Sequence, residues 1–176
     1  MKKYILVIGN GSYVLNDNYG DGVVLRSIIQ WNRINTNNSY TIILFYRDKN
    51  KKPKLEEKLK NIEGAEKIII KSLEKLDQVI ASKEIFASFI SVPDSSHYQY
   101  IEKFLFHEIP TWIVKPLTDN LQQAINITKF KNKDLLWVDY HKRFDISNML
   151  IKEFVKDNNY GKLLHYAVQY TRPYDL

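Results

Sequence analysis

Short apolar runs alternate with amphipathic stretches along most of the chain. The run KYILVIG at residues 3–9 is continuous and ends in glycine, which is typical of a parallel strand buried on both faces. The stretch 22–34 places Val24, Ile28 and Trp31 near one face, which predicts a helix. The chain therefore begins with a strand followed by a helix.

The same alternation continues through most of the remaining sequence. Further strands are predicted at 40–46, 67–71, 85–92, 111–114 and 134–140, and further helices at 72–82, 95–107, 118–130 and 145–157. Ser72 and Thr118 are expected to cap two of these helices, and Asp145 a third. Strands that alternate with helices predict an α/β fold, a Rossmann-like doubly wound parallel sheet with helices on both faces.

The end of the chain departs from this alternation. KLLHYAVQYTRP at 162–173 predicts one more strand, but no partner strand follows it. A strand with two unpaired edges invites association, because its backbone groups lack partners. We therefore expect one domain over 1–160, with 161–176 as the first strand of a second domain. Either the chain is shortened, or this strand pairs with another copy in a homo-oligomer.

A glycine-rich segment, GNGSYVLNDNYGDG at 9–22, follows the first strand. Gly9 and Gly11, with Ser12 after them, lie where a dinucleotide fingerprint needs a tight turn and close approach to a pyrophosphate. Val14 stands where the third glycine is expected, and the helix begins late, at Gly22. Its N-terminus would offer backbone N–H groups to a phosphate. The alternatives are an ordinary glycine loop and an insertion that folds into the cofactor space.

Composition narrows the class of protein. The chain has 176 residues, 44% of them hydrophobic, and no cysteine, which fits one well-buried domain in the cytoplasm. The net charge of +6 comes largely from lysines at 49–60, where Glu56 and Glu57 interrupt the block. We interpret this block as a solvated surface rather than a nucleic-acid site. No apolar run reaches the ~18 residues of a membrane span, and we expect no metal site.

Three motifs follow successive predicted strands: VPDSSH at 92–97, VKPLTDNLQQA at 114–124 and DYHKRFD at 139–145. Together they resemble the Gfo/Idh/MocA-type oxidoreductases, the glucose–fructose oxidoreductase and inositol dehydrogenase family. That family has a proline-Asn/Asp-x-x-His motif, then Glu-Lys-Pro, then a tyrosine-and-arginine stretch, in this order. The resemblance extends over the whole chain, and it implies that 1–160 is an NAD(P)-binding Rossmann domain and that 161–176 begins a second α+β domain for substrate binding or oligomerisation. It implies NAD or NADP as cofactor and hydride transfer to or from a sugar or polyol-type substrate.

Lys115 is the catalytic residue that the resemblance implies. The family's lysine lies beside the nicotinamide and the substrate hydroxyl, where a cation polarises a carbonyl or assists proton transfer. The resemblance also implies a cis peptide before Pro116 that aims the lysine inward. Val114 replaces the family's glutamate and removes a charge partner of the lysine. Taken without its neighbours, Lys115 would be an ordinary surface lysine at a strand end.

The resemblance assigns the remaining contacts to the ends of other strands. The cofactor contacts are Pro93, Asp94, His97, Lys115 and Pro116, and the substrate contacts are Tyr140, His141 and Arg143. His141 stands where the family commonly has asparagine.

The second strand ends in FYRDKN, which carries both an arginine and an aspartate. An acidic residue there accepts hydrogen bonds from the adenosine ribose, whereas arginine favours a 2′-phosphate. Arg47 and Asp48 differ by one position of register. The sequence therefore leaves both NAD and NADP open. A third alternative is that Arg47 and Asp48 are loop charges that contact neither cofactor.

In the family, the aspartate and histidine that transfer protons lie beyond the segment corresponding to 162–173. His165 is a poor substitute, because it lies within the predicted strand. We therefore expect little hydride transfer from this chain alone. The second hypothesis is a catalytically inactive Rossmann-fold protein that binds or interacts without turnover.

Overall fold

The computed structural model describes residues 3–15, 22–35, 40–82, 84–157, 161–165 and 167. The chain divides into two compact units, Met1–Asp139 and Tyr140–Leu176. The first unit contains the sheet and the cavity described below.

The first unit is built on a six-stranded parallel sheet. Its strands are β1 (Lys3–Ile8), β2 (Tyr40–Tyr46), β3 (Ile68–Ser72), β4 (Ile85–Ile90), β5 (Thr111–Val114) and β6 (Leu136–Asp139). Their order across the sheet is β3-β2-β1-β4-β5-β6, with every neighbouring pair parallel. This is the strand order of dinucleotide-binding α/β domains, which places the topological switch point between β1 and β4. The predicted fold class is confirmed.

Helices cover both faces of this sheet. They are α1 (Ser12–Leu15), α2 (Val23–Ile34), α3 (Lys52–Lys60), α4 (Leu76–Ser82), α5 (His97–Phe106) and α6 (Leu121–Ile127). Side chains of α1, α2 and α3 pack with Ile5 and Val7 on one face, and those of α4, α5 and α6 pack with Leu6 and Ile8 on the other. The alternation of side chains along β1 thus divides the core into two layers.

The lysine-rich segment forms more regular structure than its charge indicates. Residues Lys52–Lys60 are helical and bury Leu55 and Leu59 against the sheet. The lysines lie on the solvent side of α3, as an amphipathic helix requires.

Two helix starts differ from the sequence prediction. Ser72 ends β3, a short 3-10 turn precedes α4, and the Ser72 side chain makes no capping hydrogen bond. The prediction that Thr118 caps the helix after β5, which is α6, is wrong. α6 begins at Leu121, because Asn120 has the extended backbone of a cap and its side chain accepts the N–H of Gln123 at 3.1 Å.

The second unit contains α7 (Ile146–Lys156). Asp145 caps this helix as predicted, because its side chain accepts the N–H of Ser147 at 3.0 Å. Residues 161–165 and 167 have no regular secondary structure, and the rest of the predicted strand at 162–173 lies outside the described residues. No helix in the described part of the chain is long and apolar enough to cross a membrane.

Candidate functional site

A cavity of about 450 Å³ opens at the carboxyl ends of β1, β2 and β4. Its lining comes from the loops after these strands and from the segments after β3 and β4: Ile8, Gly9, Asn10, Gly11, Ser12, Tyr13, Phe45, Arg47, Asp48, Lys51, Leu73, Ser91, Val92, Pro93, Ser96 and Tyr100. In open α/β sheets, ligands bind outside the carboxyl ends of the strands beside the switch point. The cavity lies at that point of this sheet, and its volume is in the range of small-molecule sites.

Gly9 makes the turn that brings the β1 loop against the β4 loop. Its φ is +110°, a conformation that residues with a Cβ rarely adopt, and a Cβ there would overlap the carbonyl oxygen of Ser91. The N–H of Ser91 donates to the carbonyl of Ile8 at 2.8 Å and holds the two loops together. The tight turn that the sequence predicts at Gly9 is therefore present.

Gly11 and its neighbours present bare backbone to the cavity. A Cβ at Gly11 would meet no atom within 4 Å. Within the described part of the chain, the N–H groups of Asn10 and Gly11 have no acceptor. Unpaired N–H groups beside an open glycine form a surface that a phosphate can approach closely.

The inserted segment changes the role expected for Gly22. Helix α1 lies over the N-terminus of α2, and a Cβ at Gly22 would overlap the backbone of Val14 and Leu15. Val14 and Leu15 are buried in the core with residues of α2. Gly22 does not line the cavity. The absence of a side chain at Gly22 allows α1 and α2 to pack closely, and its predicted phosphate contact stays a prediction.

Tyr13 belongs to the same short helix and lines the cavity. Its hydroxyl donates to Oδ2 of Asp139 at the end of β6, at 3.1 Å. Burial, the charge of Asp139 and this hydrogen bond all raise the pKa of Tyr13. Tyr13 is not among the predicted site residues, because nothing in the local pattern indicates how an inserted segment folds back.

The end of β2 brings three charged side chains to the cavity. Arg47 and Asp48 both line it, and Lys51, which the sequence analysis did not single out as a site residue, joins them. Oδ1 of Asp48 accepts the backbone N–H of Asn50 at 2.9 Å and caps a 3-10 turn. Burial raises the pKa of Tyr100 on the opposite wall, and the positive charges of Arg47 and Lys103 act against that rise. Arg47 and Asp48 therefore both reach the cavity, although they are adjacent in the sequence.

His97 is a buried tie between two loops. It has no exposed surface, with Nδ1 2.8 Å from the carbonyl oxygen of Pro116 and Nε2 3.0 Å from that of Val92. It does not line the cavity, and neither does Asp94, whereas Pro93 does. His97 thus contacts the loops after β4 and β5, and its predicted cofactor contact stays a prediction.

The helix pattern could have indicated that His97 is buried. His97, Ile101, Phe104 and Leu105 follow the spacing of one helix face, and all four are buried in α5.

Lys115 and Pro116 follow β5, which lies next to β4 in the sheet. The Lys115–Pro116 peptide is cis, as the resemblance implies. The Lys115 side chain is exposed, and neither residue lines the cavity described above. The structure thus leaves Lys115 at the carboxyl edge of the sheet, outside the glycine-lined space.

The three predicted substrate contacts lie in the second unit, directly after β6. His141 and Arg143 belong to a 3-10 turn over His141–Phe144 that follows Tyr140. The guanidinium of Arg143 lies 5.3 Å from the ring centroid of Tyr140, within the range of a cation–π contact. All three side chains are exposed.

The described residues contain no group of three or more His, Cys, Asp or Glu side chains that could hold a metal ion.

Comparison with known proteins matches residues 29–140 to the Gfo/Idh/MocA family model, described as an oxidoreductase family with an NAD-binding Rossmann fold. An inositol 2-dehydrogenase from Arthrobacter sp. (strain FB24) is 26% identical over 105 residues, which cover 58% of this chain and 31% of that protein. The chain therefore spans about a third of the length of this relative.

Solved structures that resemble this fold include two with named sugar or polyol activities. Myo-inositol 2-dehydrogenase from Lactobacillus plantarum superposes with a TM-score of 0.64 at 17% identity, covering 93% of this chain and 44% of that one. Aldose-aldose oxidoreductase from Caulobacter crescentus gives 0.61 at 18% identity, covering 89% and 43%. At these identities the likeness concerns the fold alone.

Proposed function

The chain belongs to the Gfo/Idh/MocA oxidoreductase family, which has an NAD-binding Rossmann fold, and from that premise we propose that it is the nucleotide-binding part of an NAD(P)-dependent enzyme acting on a sugar or polyol-type substrate. The names of an inositol 2-dehydrogenase and an aldose-aldose oxidoreductase among the similar proteins support this substrate class. When bound, the nicotinamide accepts or donates a hydride at the reacting carbon.

The observation that carries the proposal is the cavity beside β1 and β4, with bare backbone at Asn10 and Gly11. These N–H groups would bind the pyrophosphate in place of the N-terminus of α2, which α1 covers. Pro93 would form the wall on the nicotinamide-ribose side, and Arg47, Asp48 and Lys51 would surround the adenosine ribose. The glycine loop and the basic rim fit such a ligand.

Lys115 is the proposed catalytic residue. Its ammonium group would polarise the reacting oxygen of the substrate or assist its proton transfer. The hydrogen bond between His97 and the carbonyl of Pro116 would fix the backbone from which Lys115 extends. Tyr140, His141 and Arg143 would contact the substrate, and their exposed side chains are free of the hydrophobic core.

The proposed domain organisation follows the same family. Residues 1–160 would form the nucleotide-binding domain, and 161–176 would begin the substrate domain. The matched region is 31% of the inositol 2-dehydrogenase, which supports a further domain as the source of proton-transfer groups.

The alternative is a Rossmann-fold binding protein without turnover. The specific observation in its favour is that α1 packs over Gly22 and covers the helix N-terminus that usually receives the pyrophosphate. Val114 adds to it, because Lys115 lacks the neighbouring carboxylate of the family motif.

Fluorescence titration of the 176-residue chain with NADH and NADPH distinguishes the two. The oxidoreductase proposal expects saturable binding of at least one nucleotide. Gly11→Leu should abolish that binding at an unchanged unfolding midpoint, because its side chain enters the open space beside Gly11. Lys115→Ala should leave the affinity unchanged, since the role proposed for Lys115 is catalytic. Binding of neither nucleotide, or binding that Gly11→Leu does not weaken, would favour the alternative.

A further inference from the structure

The cations around the end of β2 differ in whether a carboxylate neutralises them. Lys49 pairs with Glu74 at 3.1 Å, and Lys52 pairs with Glu56 at 3.4 Å. Arg47 and Lys51 line the cavity and form no ion pair with any described residue. Arg47 and Lys51 therefore bring two positive charges to the cavity, whereas the charges of Lys49 and Lys52 are paired with glutamates outside the lining.

The acidic group that would bind a free ribose is engaged in the turn. Asp48 is the only acidic residue in the cavity lining that the structure describes, and its Oδ1 accepts the N–H of Asn50. Tyr46, the last residue of β2, is buried and carries no charge. A carboxylate at this strand end is the usual acceptor for the ribose hydroxyls of NAD, and here one of its oxygens is already used.

The balance of charge in the lining favours an anion. A phosphate carries up to two negative charges near neutral pH and accepts paired hydrogen bonds from a guanidinium, which suits Arg47. The ammonium of Lys51 adds a second positive charge that needs no fixed direction.

We propose that this cavity selects a dinucleotide that carries a 2′-phosphate on its adenosine ribose, NADP(H) over NAD(H), and that Arg47 and Lys51 determine the selection. The inference rests on the proposed function, because it assumes that the cavity binds the adenosine half of a dinucleotide.

Titrations of the chain with NADPH and with NADH test the selection. We expect NADPH to bind about tenfold more tightly, and Arg47→Ala and Lys51→Ala each to weaken NADPH binding by about three- to tenfold. The NADH affinity of both variants should fall by much less than the NADPH affinity, because NADH lacks the 2′-phosphate that the two cations are proposed to bind. Lys49→Ala is the matched control, since Lys49 belongs to the same turn but pairs with Glu74 outside the lining, and it should bind both nucleotides like the parent chain.

Competition with inorganic phosphate separates a 2′-phosphate site from a general anion site. If the site selects the 2′-phosphate of the dinucleotide, inorganic phosphate at equal ionic strength should displace NADPH only weakly. Strong displacement would indicate a general anion site instead. Equal affinity for NADH and NADPH, or equal losses of both in Arg47→Ala, would overturn the selection while leaving the dinucleotide site in place. Binding of neither nucleotide would overturn the proposed function and this inference with it.

Discussion

Nδ1 of His97 lies 2.8 Å from the carbonyl oxygen of Pro116, and this contact joins the loop after β4 to the loop after β5. The other ring nitrogen reaches the carbonyl of Val92 at 3.0 Å. The ring is completely buried, and whichever ring nitrogen carries the proton can donate to one of the two carbonyls. One side chain therefore fixes the relative position of the loops that carry Pro93 and Lys115.

His97→Ala should destabilise the chain by about 2–4 kcal/mol, because it removes the N–H donor to a loop carbonyl and leaves a cavity where the buried ring was. Urea unfolding followed by circular dichroism measures the change. If His97 positions the loops, His97→Gln should recover part of the nucleotide affinity that the alanine variant loses, since its amide can still donate to a carbonyl.

His107→Ala is the matched control for this variant. His107 is exposed at the end of the same helix, and its removal should change stability by less than about 0.5 kcal/mol. Equal losses in the two variants would contradict the positioning role of His97.

The two glycines that flank α1 should respond in opposite ways to alanine. Gly22→Ala should cost about 1–3 kcal/mol, because its Cβ would overlap the backbone of Val14 and Leu15 and displace α1. Gly11→Ala should fold with nearly unchanged stability, since a Cβ there meets no atom. Thermal melts of both variants measure this difference.

Nucleotide titration of the same pair separates packing from binding. Gly11→Ala should weaken dinucleotide binding, because its methyl group lies where the pyrophosphate would approach the backbone. A Gly22→Ala chain as stable as the parent would contradict the packing of α1 on α2.

The sheet was predictable because each strand is a short apolar run with a clear end. β2 and β5 begin and end where the sequence predicts, and β2 is buried along nearly its whole length. Glycines, prolines and strand-end motifs also located the carboxyl edge that carries the cavity.

The inserted segment and the reach of individual side chains were not predictable. Four residues of α1 are too few for a periodic pattern, and their position depends on packing against α2. Tyr13 and Lys51 enter the lining through side-chain directions that only the folded chain sets. The local sequence pattern therefore predicts where the site lies, whereas the side chains that line it depend on tertiary contacts.

Tyr13 should make the stability of the chain depend on alkaline pH. Its pKa is raised in the folded chain above the ordinary value of 10.0, so the native state holds the phenolic proton more tightly than the unfolded chain does. This contribution is complete below pH 10.0 and is lost as the pH rises through the raised pKa.

Tyr13→Phe should therefore reduce the loss of stability between about pH 9 and about pH 11. Urea midpoints measured across this range check the expectation. Tyr98→Phe is the comparison, because its hydroxyl contacts Glu102 on the exposed side of α5, 3.4 Å away. A pH profile of Tyr13→Phe that matches the parent chain would show that the bond to Asp139 does not hold α1 in place.

Asp48→Asn tests whether the residues after β2 favour the 2′-phosphate of NADPH or the ribose hydroxyls of NADH. The asparagine oxygen can still accept the N–H of Asn50, so the turn should persist while one negative charge leaves the cavity lining. NADPH should then bind about two- to fivefold more tightly, because Arg47 and Lys51 act on the 2′-phosphate with less opposition. Glu57→Gln makes the same change of net charge on α3, outside the lining, and should leave both affinities unchanged. If Asp48 instead holds the ribose hydroxyls of NAD, the asparagine variant will lose NADH affinity and gain none for NADPH.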